Sequence, residues 1–335
     1  MRSTVVTRVS DLIGDTPLYE LCATATGSRL LLKLEAFNPT GTAKIRMARQ
    51  MVLDAEERGD LRPGGRIIES TSGNTGLGLA VVAAERGYVF TAVVDHHACR
   101  DKLRAMRAMG AELVYVTDDE GLATAAREEL AERMAAEGDN TIFTEQHNNP
   151  SNAVGYHALA HELTAALGRL DVLIGAVGTG GSLCGTGREL RRTLPDLAVV
   201  GVEPIGSIAF GGPGGPYHQS GTGTPPGAEI GALVDFDLID IGCTVSDIRA
   251  FATARVVARK TGLLIGGSAG GVVFEALDRL PSLPPGSTMV ALVCDGGEKY
   301  LDTVFDDEWM TRYSLLDHGT ELEVDEMLTK LRGAA

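Results

Sequence analysis

Residues 66–76, RIIESTSGNTG, join a short apolar run to a loop that is rich in hydroxyl side chains and glycine. A helix should follow this loop, because apolar residues recur at helical spacing from Leu77 to Ala84 and the pattern ends at Gly87. The segment therefore predicts a strand, a polar loop and a helix, in that order.

The same alternation continues along most of the chain. Further strands are predicted at 89–94, 112–116, 171–177, 197–203 and 289–294, and further helices at 103–109, 122–136, 185–194, 272–280 and 321–332. Apolar strands separated by helices are typical of parallel sheets that helices cover on both faces. The sequence therefore predicts the α/β class. Residues 205–231 differ, because they are crowded with glycine and proline; we expect a mobile loop that covers an active site, or a plain surface loop.

The composition limits the kinds of partner. The chain has 335 residues, of which 44% are hydrophobic, so it can bury a sizeable core. Its formal net charge of −15 opposes non-specific binding to nucleic acid or to anionic lipid. No apolar run reaches the roughly 20 residues that a membrane helix needs, and the N-terminus has no apolar core of signal-peptide length. We therefore expect neither nucleic acid nor a membrane as a partner.

The cysteine and histidine pattern bears on location and on metals. The five cysteines are widely spaced and form no CxxC pair, which predicts reduced thiols in a cytoplasmic protein. His96 and His97 lie close to Cys99, but adjacent histidines without a second cluster of ligands are weak evidence for a metal site. The sequence therefore predicts no bound metal.

The first candidate site residue is Lys44, at the end of the segment NPTGTAK (residues 38–44). A helix should begin here, since apolar residues follow at helical spacing as far as Val52. The positive partial charge of a helix N-terminus favours the neutral amine, which is the form that attacks an aldehyde. A solvated surface lysine is the alternative interpretation.

Two further loops have the composition of anion sites. The segment TSGNTG (residues 71–76) clusters hydroxyls and backbone N–H groups at a helix start, which suits a carboxylate; an ordinary helix cap is the alternative. The segment GTGGS (residues 178–182) follows a predicted strand, and its glycines would let the backbone approach a phosphate, although a tight turn is equally consistent. A cofactor with an aldehyde and a phosphate that acts on an amino acid would use all three loops, and pyridoxal phosphate (PLP) is that cofactor.

With these motifs in this order, the chain resembles the fold-type II PLP enzymes and, within them, the cysteine synthase family. The resemblance covers nearly the whole length and includes GDTPL at 14–18, LKLE at 32–35, GGSAG at 266–270 and GGEKYL at 296–301. It implies a tryptophan synthase β-like fold with two domains, each a mostly parallel sheet flanked by helices. Residues 1–38 and 155–320 would form the larger domain, which binds the PLP phosphate. Residues 39–154 would form a smaller mobile domain with the asparagine loop, and residues 321–335 a C-terminal helix and tail.

The resemblance also implies a role for each matching residue. Lys44 would hold PLP as a Schiff base and later act as the catalytic base at the substrate Cα. Asn74 would bind the ring oxygen of the cofactor. The cofactor phosphate would be bound by Gly178, Thr179, Gly180, Gly181 and Ser182. The substrate carboxylate would be bound by Thr71, Ser72, Thr75 and Gln146.

The activity implied by the resemblance is β-replacement on O-acetyl- or O-phospho-L-serine through an aminoacrylate. A sulfur nucleophile, sulfide or thiosulfate, is the first hypothesis. An amine is the second, because GSIAFG (206–211) and YLDTVFDDEW (300–309) resemble the branch that makes N-(2-amino-2-carboxyethyl)-L-glutamate, a precursor of 2,3-diaminopropionate. A PLP lyase or dehydratase of the same fold is the third. The family is usually dimeric, so we expect a homodimer that acts on small amino-acid substrates.

The chain departs from the family pattern at two places. Most members have a serine that faces the pyridine nitrogen of the cofactor, whereas Gly296 occupies that position here, so that Ser268 or a water would replace it. Members that use O-phosphoserine commonly present an arginine after the phosphate loop, whereas residues 201–248 contain no Lys or Arg and His218 is the only possible cation. The alternatives are Arg46, Arg49, Arg100 and Lys102. The leaving group therefore stays open.

Overall fold

The computed structural model describes residues 5–94, 100–116 and 123–333. The chain divides into two compact units, a smaller one of Met1–Gly14 and Asn38–Tyr156 and a larger one of Asp15–Phe37 and His157–Ala335. The segment before Gly14 groups with the smaller unit, although the motif order predicts residues 1–38 in the larger one. In this segment, the backbone N–H and the hydroxyl of Ser10 donate hydrogen bonds of 2.9 and 2.6 Å to the Glu85 carboxylate. These bonds connect the segment to the smaller unit.

The strands and helices alternate along the chain. The strands are β1 (Leu18–Ala23), β2 (Arg29–Leu34), β3 (Arg66–Ser70), β4 (Val89–Val94), β5 (Glu112–Tyr115), β6 (Thr141–Phe143), β7 (Val172–Ala176), β8 (Ala198–Pro204), β9 (Ile241–Val245) and β10 (Thr288–Val293). The helices are α1 (Lys44–Arg58), α2 (Asn74–Arg86), α3 (Arg100–Ala108), α4 (Ala123–Glu137), α5 (Pro150–Val154), α6 (His157–Ala166), α7 (Gly181–Arg191), α8 (Asp247–Thr261), α9 (Gly267–Arg279), α10 (Asp307–Arg312) and α11 (His318–Arg332).

The smaller unit contains a four-stranded sheet of order β5-β4-β3-β6 in which every neighbouring pair is parallel. Its central strands, β3 and β4, are buried along most of their length, as expected where helices cover both faces of a sheet. Gly59 and Gly87 end α1 and α2 in the left-handed conformation, which glycine adopts without strain. Since the strands are parallel, their carboxyl ends lie along one edge of this sheet.

The larger unit contains a six-stranded sheet of order β1-β2-β10-β7-β8-β9. The pair β1–β2 is antiparallel and the other pairs are parallel. Every residue of β10 is buried, which fits a strand in the middle of a covered sheet. Two units with mostly parallel sheets and flanking helices confirm the predicted fold class.

Some element boundaries differ from the prediction. Helices α7 and α9 begin several residues before the predicted starts at 185 and 272, because their first turns are rich in glycine, which has low helix propensity. Close packing explains the glycine in α9: a Cβ at Gly270 would lie 2.0 Å from the carbonyl oxygen of Ala250 in α8. Strand β9 was not predicted, since it is exposed along most of its length and has no continuous apolar run.

Residues 205–231 contain no helix or strand, as predicted for this glycine- and proline-rich segment. The segment begins at a buried carboxylate: Glu203 accepts hydrogen bonds from the Ser207 hydroxyl and from the backbone N–H groups of Ala209 and Phe210, the last two at 3.1 and 2.9 Å. The start of the segment is therefore anchored to β8. Its proposed role as a cover stays a prediction. Within the described part of the chain, no helix combines the length and apolar character needed to cross a membrane.

Candidate active site

The asparagine loop, residues 71–76, lies in the smaller unit between β3 and α2. The Thr71 hydroxyl accepts hydrogen bonds from the backbone N–H groups of Gly73 and Gly76, at 3.3 and 3.2 Å. Thr71 and Thr75 are buried, whereas Ser72 and Asn74 are half-buried. The predicted carboxylate-binding residues of this loop therefore gather at the N-terminus of α2, the end of a helix whose positive partial charge attracts an anion.

Lys44 lies in the same unit, at the first residue of α1. The chain reaches it through a tight turn with positive φ at Thr40 (69°) and Gly41 (66°). The Lys44 backbone N–H donates to the Thr42 hydroxyl at 3.3 Å. The predicted helix start at this lysine is therefore present, and a left-handed turn positions it.

Helices α1 and α2 approach each other closely next to these two starts. A Cβ at Gly78 would lie 2.9 Å from the Cβ of Ala48 and 3.0 Å from the Cα of Ile45. Only glycine permits this approach, which brings the first turn of α1 against α2 within one turn of Asn74. The smaller unit therefore holds the lysine and the asparagine loop at the N-termini of two packed helices.

Gln146 follows β6 and contacts the same loop. The Thr75 hydroxyl donates to Oε1 of Gln146 at 2.7 Å. The Gln146 amide nitrogen donates to Oε1 of Glu69 and to the carbonyl oxygen of Ser70, both at 3.3 Å. The structure therefore places Gln146 beside the predicted carboxylate-binding residues, and its contact with substrate stays a prediction.

Glu69 is a site residue that was not singled out from the sequence. Its side chain is 1% exposed, and it accepts hydrogen bonds from the Thr144 hydroxyl and the Gln146 backbone N–H. Burial raises the pKa of the Glu69 carboxyl to about 7, although these hydrogen bonds act in the opposite direction. A charged residue at the end of the apolar run Ile67-Ile68 is a signal that could have identified it.

His147 and Arg127 also lie at this site without having been predicted. Burial, and then the charge of Lys44, lower the pKa of His147 to about 4, so its imidazole is neutral at neutral pH. Arg127, on α4, donates to the Ser72 hydroxyl at 3.0 Å. Neither residue stands out in the sequence. Arg127 lies in an Ala/Glu-rich helix, where an arginine has the pattern of a solvated helix face.

The phosphate loop, residues 178–182, lies in the larger unit between β7 and α7. Gly180 precedes the helix with a φ of 84°, in the left-handed region. A Cβ at Gly180 would lie 2.7 Å from the carbonyl group of Leu233, and one at Gly178 would lie 3.2 Å from the carbonyl oxygen of Gly221. The backbone therefore requires glycine at 180 and leaves little room at 178.

The donor set of this loop fits a phosphate group. The first backbone N–H groups of a helix such as α7 have no acceptor within the helix, and this end carries positive partial charge. The Thr179 hydroxyl accepts from the Gly181 N–H at 3.3 Å, which orders the loop, and Ser182 is half-buried in the first turn. This is the chemistry that binds a phosphate ester without a lysine or arginine.

Ser268 and Gly296 both lie in the larger unit, Ser268 at the start of α9 and Gly296 shortly after β10. Ser268 is the second residue of this helix and is 6% exposed. Gly296 forms an antiparallel bridge with Ile265, three residues before Ser268. A Cβ at Gly296 would lie 2.2 Å from Oε2 of Glu298, so a serine there would require that carboxylate to move. The bridge places Gly296 beside the segment that leads into α9, and the partner of the pyridine nitrogen stays a prediction.

The other cation candidates have different surroundings. Arg46 and Lys102 are buried, at 3% and 7% exposure, and Arg100 is exposed. His218 packs against the rings of Trp309 and Tyr313, with centroid distances of 5.5 and 4.9 Å. Arg127 contacts the asparagine loop directly, through its hydrogen bond to Ser72.

Across residues 5–94, 100–116 and 123–333, no group of three or more His, Cys, Asp or Glu side chains is arranged to bind a metal ion. His96, His97 and Cys99 lie outside the described residues. The cysteines that the structure describes are free thiols at Cys22, Cys184, Cys243 and Cys294.

Comparison with known proteins agrees with this site chemistry. The model of the family "Pyridoxal-phosphate dependent enzyme" matches residues 9–295. A Sinorhizobium fredii protein assigned as a cysteine synthase is 48% identical over 326 residues, which cover 96% of this chain and 97% of that protein. N-(2-amino-2-carboxyethyl)-L-glutamate synthase of Ralstonia nicotianae is 37% identical over 91% of each chain.

A solved structure shows the same relationship. Cysteine synthase of Entamoeba histolytica matches with a TM-score of 0.85 and 29% identity, covering 98% of this chain and 97% of the other. The family match, the relatives and the fold agree with one another and with the loops described above. The chain therefore belongs to the pyridoxal-phosphate dependent enzyme family, as a fold-type II enzyme of the cysteine synthase type with PLP as its cofactor.

Proposed function

We propose that this enzyme replaces the β-substituent of an O-activated L-serine with a sulfur nucleophile, sulfide or thiosulfate. The observation that carries the proposal is the asparagine loop, whose hydroxyls and N–H groups gather at the start of α2 while Lys44 begins the helix packed against it. Such a loop suits an amino-acid carboxylate, and a nearby amine suits proton transfer at Cα. The similarity to cysteine synthases supports the same chemistry.

The proposed roles follow from the chemistry of each group. When bound, PLP supplies a ring that stabilises negative charge at the substrate Cα. Lys44 would hold the cofactor and later take the proton from Cα, with Asn74 at the ring oxygen and residues 178–182 at the phosphate. The carboxylate would be oriented by Thr71, Ser72, Thr75 and Gln146. This orientation would keep the Cα–H bond aligned for proton removal.

Arg127 favours O-phospho-L-serine as the donor. Its guanidinium donates to Ser72 in the loop proposed to bind the substrate, so an anionic leaving group there would meet a fixed positive charge. Arginine binds phosphate with paired N–H donors, whereas an acetyl ester offers only neutral acceptors. We therefore propose that phosphate is the preferred leaving group and acetate the second candidate.

An amine nucleophile is the alternative to sulfur. The similarity to N-(2-amino-2-carboxyethyl)-L-glutamate synthase, at 37% identity over 91% of each chain, supports this alternative, in which the product would be a precursor of 2,3-diaminopropionate. The segment at 206–211, which carries part of this resemblance, is held by Glu203 rather than left unanchored. A fixed segment could select between a small anion and an amino acid.

The test is a comparison of donors and nucleophiles with the PLP-loaded protein. Each donor, O-phospho- or O-acetyl-L-serine, is mixed with sulfide, thiosulfate or L-glutamate, and the products are identified by mass spectrometry. Production of cysteine or S-sulfocysteine supports the proposal, whereas a product from glutamate alone selects the amine alternative. Pyruvate as the sole product from every mixture overturns β-replacement in favour of a lyase.

Lys44→Ala provides the control that does not depend on turnover. Borohydride reduction of the wild type should place a cofactor adduct on the peptide that contains Lys44, and the variant should lack it. An adduct on another lysine would contradict the assignment of Lys44. Light scattering tests the expected homodimer, and cell fractionation tests the expected cytoplasmic location.

A further inference from the structure

A continuous chain of hydrogen bonds runs from Glu69 through Gln146 to Thr75 in the smaller unit. Oε1 of Glu69 accepts from the Gln146 amide nitrogen at 3.3 Å, and Oε1 of Gln146 accepts from the Thr75 hydroxyl at 2.7 Å. Glu69 is 1% exposed and Thr75 is 4% exposed, so water competes little for these groups. The chain links a buried carboxyl to a hydroxyl of the asparagine loop.

The direction of these bonds depends on the charge of Glu69. A charged carboxylate only accepts hydrogen bonds, so Gln146 must turn its NH₂ group towards it and its carbonyl towards Thr75. The Thr75 hydroxyl can donate one hydrogen bond, and in this arrangement it donates it to Oε1 of Gln146. Thr75 therefore has no proton left to donate to a substrate carboxylate while Glu69 is charged.

We propose that Glu69 is a positioning residue whose protonation sets the orientation of Gln146 and so decides whether Thr75 can donate to the substrate carboxylate. The neutral carboxyl would donate its proton to Oε1 of Gln146, and the amide would turn over. Its NH₂ group would then donate to the Thr75 oxygen. The Thr75 hydroxyl would be able to donate its hydrogen bond to the substrate carboxylate instead. The proposal rests on the proposed function, because it requires an amino-acid carboxylate at Thr75.

The surroundings of Glu69 are compatible with this change. Both bonds from the Gln146 amide nitrogen, to Glu69 and to the Ser70 carbonyl, are 3.3 Å, beyond the usual range for N–H···O hydrogen bonds, so turning the amide gives up two weak contacts. The turned carbonyl oxygen would face the Ser70 carbonyl oxygen, so the hydrogen bond from the neutral Glu69 carboxyl must offset this repulsion. The Thr144 hydroxyl donates to Glu69, and on β4 the paired residue is the apolar Ala92.

A neighbouring negative charge also favours the neutral form of Glu69. Glu128, on α4, acts on it electrostatically and raises its pKa. Together with burial, which is the larger cause, this brings the pKa of the Glu69 carboxyl to about 7. The carboxyl would therefore change its charge near neutral pH, where the enzyme can be assayed on both sides of the transition.

The expected effect is on binding rather than on the chemical step. Below pH 7 Glu69 is neutral and Thr75 donates to the substrate, whereas above pH 7 this hydrogen bond is lost. The dissociation constant of L-serine should rise about tenfold from pH 6 to pH 8, the scale of one hydrogen bond to a charged group. The KM of the donor should rise in parallel, with kcat at saturation little changed.

The test measures L-serine binding to the PLP-loaded protein through its visible absorbance, at pH 6, 7 and 8. Glu69→Gln cannot change its charge, so the ratio of wild-type to variant dissociation constants should rise about tenfold over this range. Gln146→Leu removes the amide, so it should lose the same pH dependence although Glu69 is intact. A purely structural Glu69 predicts a wild-type profile for Gln146→Leu, and that result would overturn the proposal.

Glu85→Gln is the matched control. Glu85 is another carboxylate of the smaller unit, bonded to Ser10 and outside the proposed site, so this variant should keep the wild-type pH profile. A constant ratio of wild type to Glu69→Gln across the pH range would also overturn the proposal. Absence of turnover with both serine donors at every pH would overturn the proposed function instead, and L-serine binding would still decide the role of Glu69.

Discussion

Arg127 and Ser72 are 55 positions apart in the chain and form a hydrogen bond of 3.0 Å between Nη1 and Oγ. A residue of α4 thereby brings a guanidinium to the asparagine loop, whereas residues 201–248, which follow the phosphate loop, contain no Lys or Arg. If phosphate is the leaving group, as proposed above, Arg127 would supply the positive charge that it needs.

Arg127→Met should reveal this preference for a phosphorylated donor. We expect kcat/KM for O-phospho-L-serine to fall roughly tenfold or more, because a charge-assisted hydrogen bond is lost, and kcat/KM for O-acetyl-L-serine to change far less. Arg133→Met, an exposed arginine on the same helix, is the control and should affect neither donor. Equal losses for both donors would contradict a role at the leaving group.

The phosphate loop should not tolerate a side chain at Gly180. Gly180 and Gly211 share a φ of 84°, but an added Cβ is blocked by the Leu233 carbonyl at 180 and meets nothing within 4 Å at 211. Backbone strain of about 1 kcal/mol is common to both alanine variants, and the clash should add about 1–3 kcal/mol at 180 alone. Urea unfolding and PLP titration measure both effects. Similar stability and PLP affinity for the two variants would disprove the proposed fit.

His147 should make stability depend on acid pH. Its pKa in the folded protein is about 4, below its ordinary value of 6.5, because the charged form is buried next to Lys44. Between pH 6.5 and pH 4, His147 is therefore protonated in the unfolded chain but not in the folded one. The free energy of unfolding falls as the pH falls through this window. His147→Asn should lose less free energy of unfolding than the wild type between pH 7.5 and pH 4.5. Urea unfolding at the two pH values measures these losses. If the wild type and the variant lose the same free energy of unfolding, His147 titrates normally.

An ion pair of a buried lysine with a partly buried glutamate should stabilise the larger unit. Nζ of Lys33, which is 2% exposed, donates at 2.6 Å to both Glu162 and the Thr16 carbonyl. Lys33→Met leaves Glu162 without this cation and should lower the free energy of unfolding by about 1.5–3 kcal/mol, the range for a hydrogen bond to a charged group, because Glu162 is only partly buried. The double variant Lys33→Met/Glu162→Leu should recover much of that loss, as measured by urea unfolding. A double variant no more stable than the single one would show that packing, rather than charge, dominates.

Ser268→Ala tests the group that faces the pyridine nitrogen. If Ser268 replaces the serine that the family has at position 296, the variant should bind PLP more weakly or shift its visible absorbance. Ser282→Ala, at an exposed serine of the same unit, is the control. An unchanged PLP affinity together with an unchanged spectrum would exclude Ser268 and leave water as the partner.

Much of the fold was predictable because its signals are local. A buried parallel strand such as β4 has a continuous apolar run, and Gly87 ends α2 as expected of a left-handed cap. The less predictable elements depend on contacts with other elements that are distant in the sequence. Exposed β9 lacks an apolar run, and the glycine-rich start of α9 forms a helix because α8 packs closely against it.

The sequence by itself determined the α/β class, the helix start at Lys44 and the two glycine-containing loops, because each depends on residues that are neighbours in the chain. Only the tertiary structure decided that Gln146 joins Glu69 to Thr75 and that Arg127 contacts Ser72. These pairs are separated by more than 50 positions, and they meet because β6 lies beside β3 while α4 packs against the same strand. The spacing of residues along the chain does not predict which strands become neighbours, because strand order depends on how the whole apolar surface is buried.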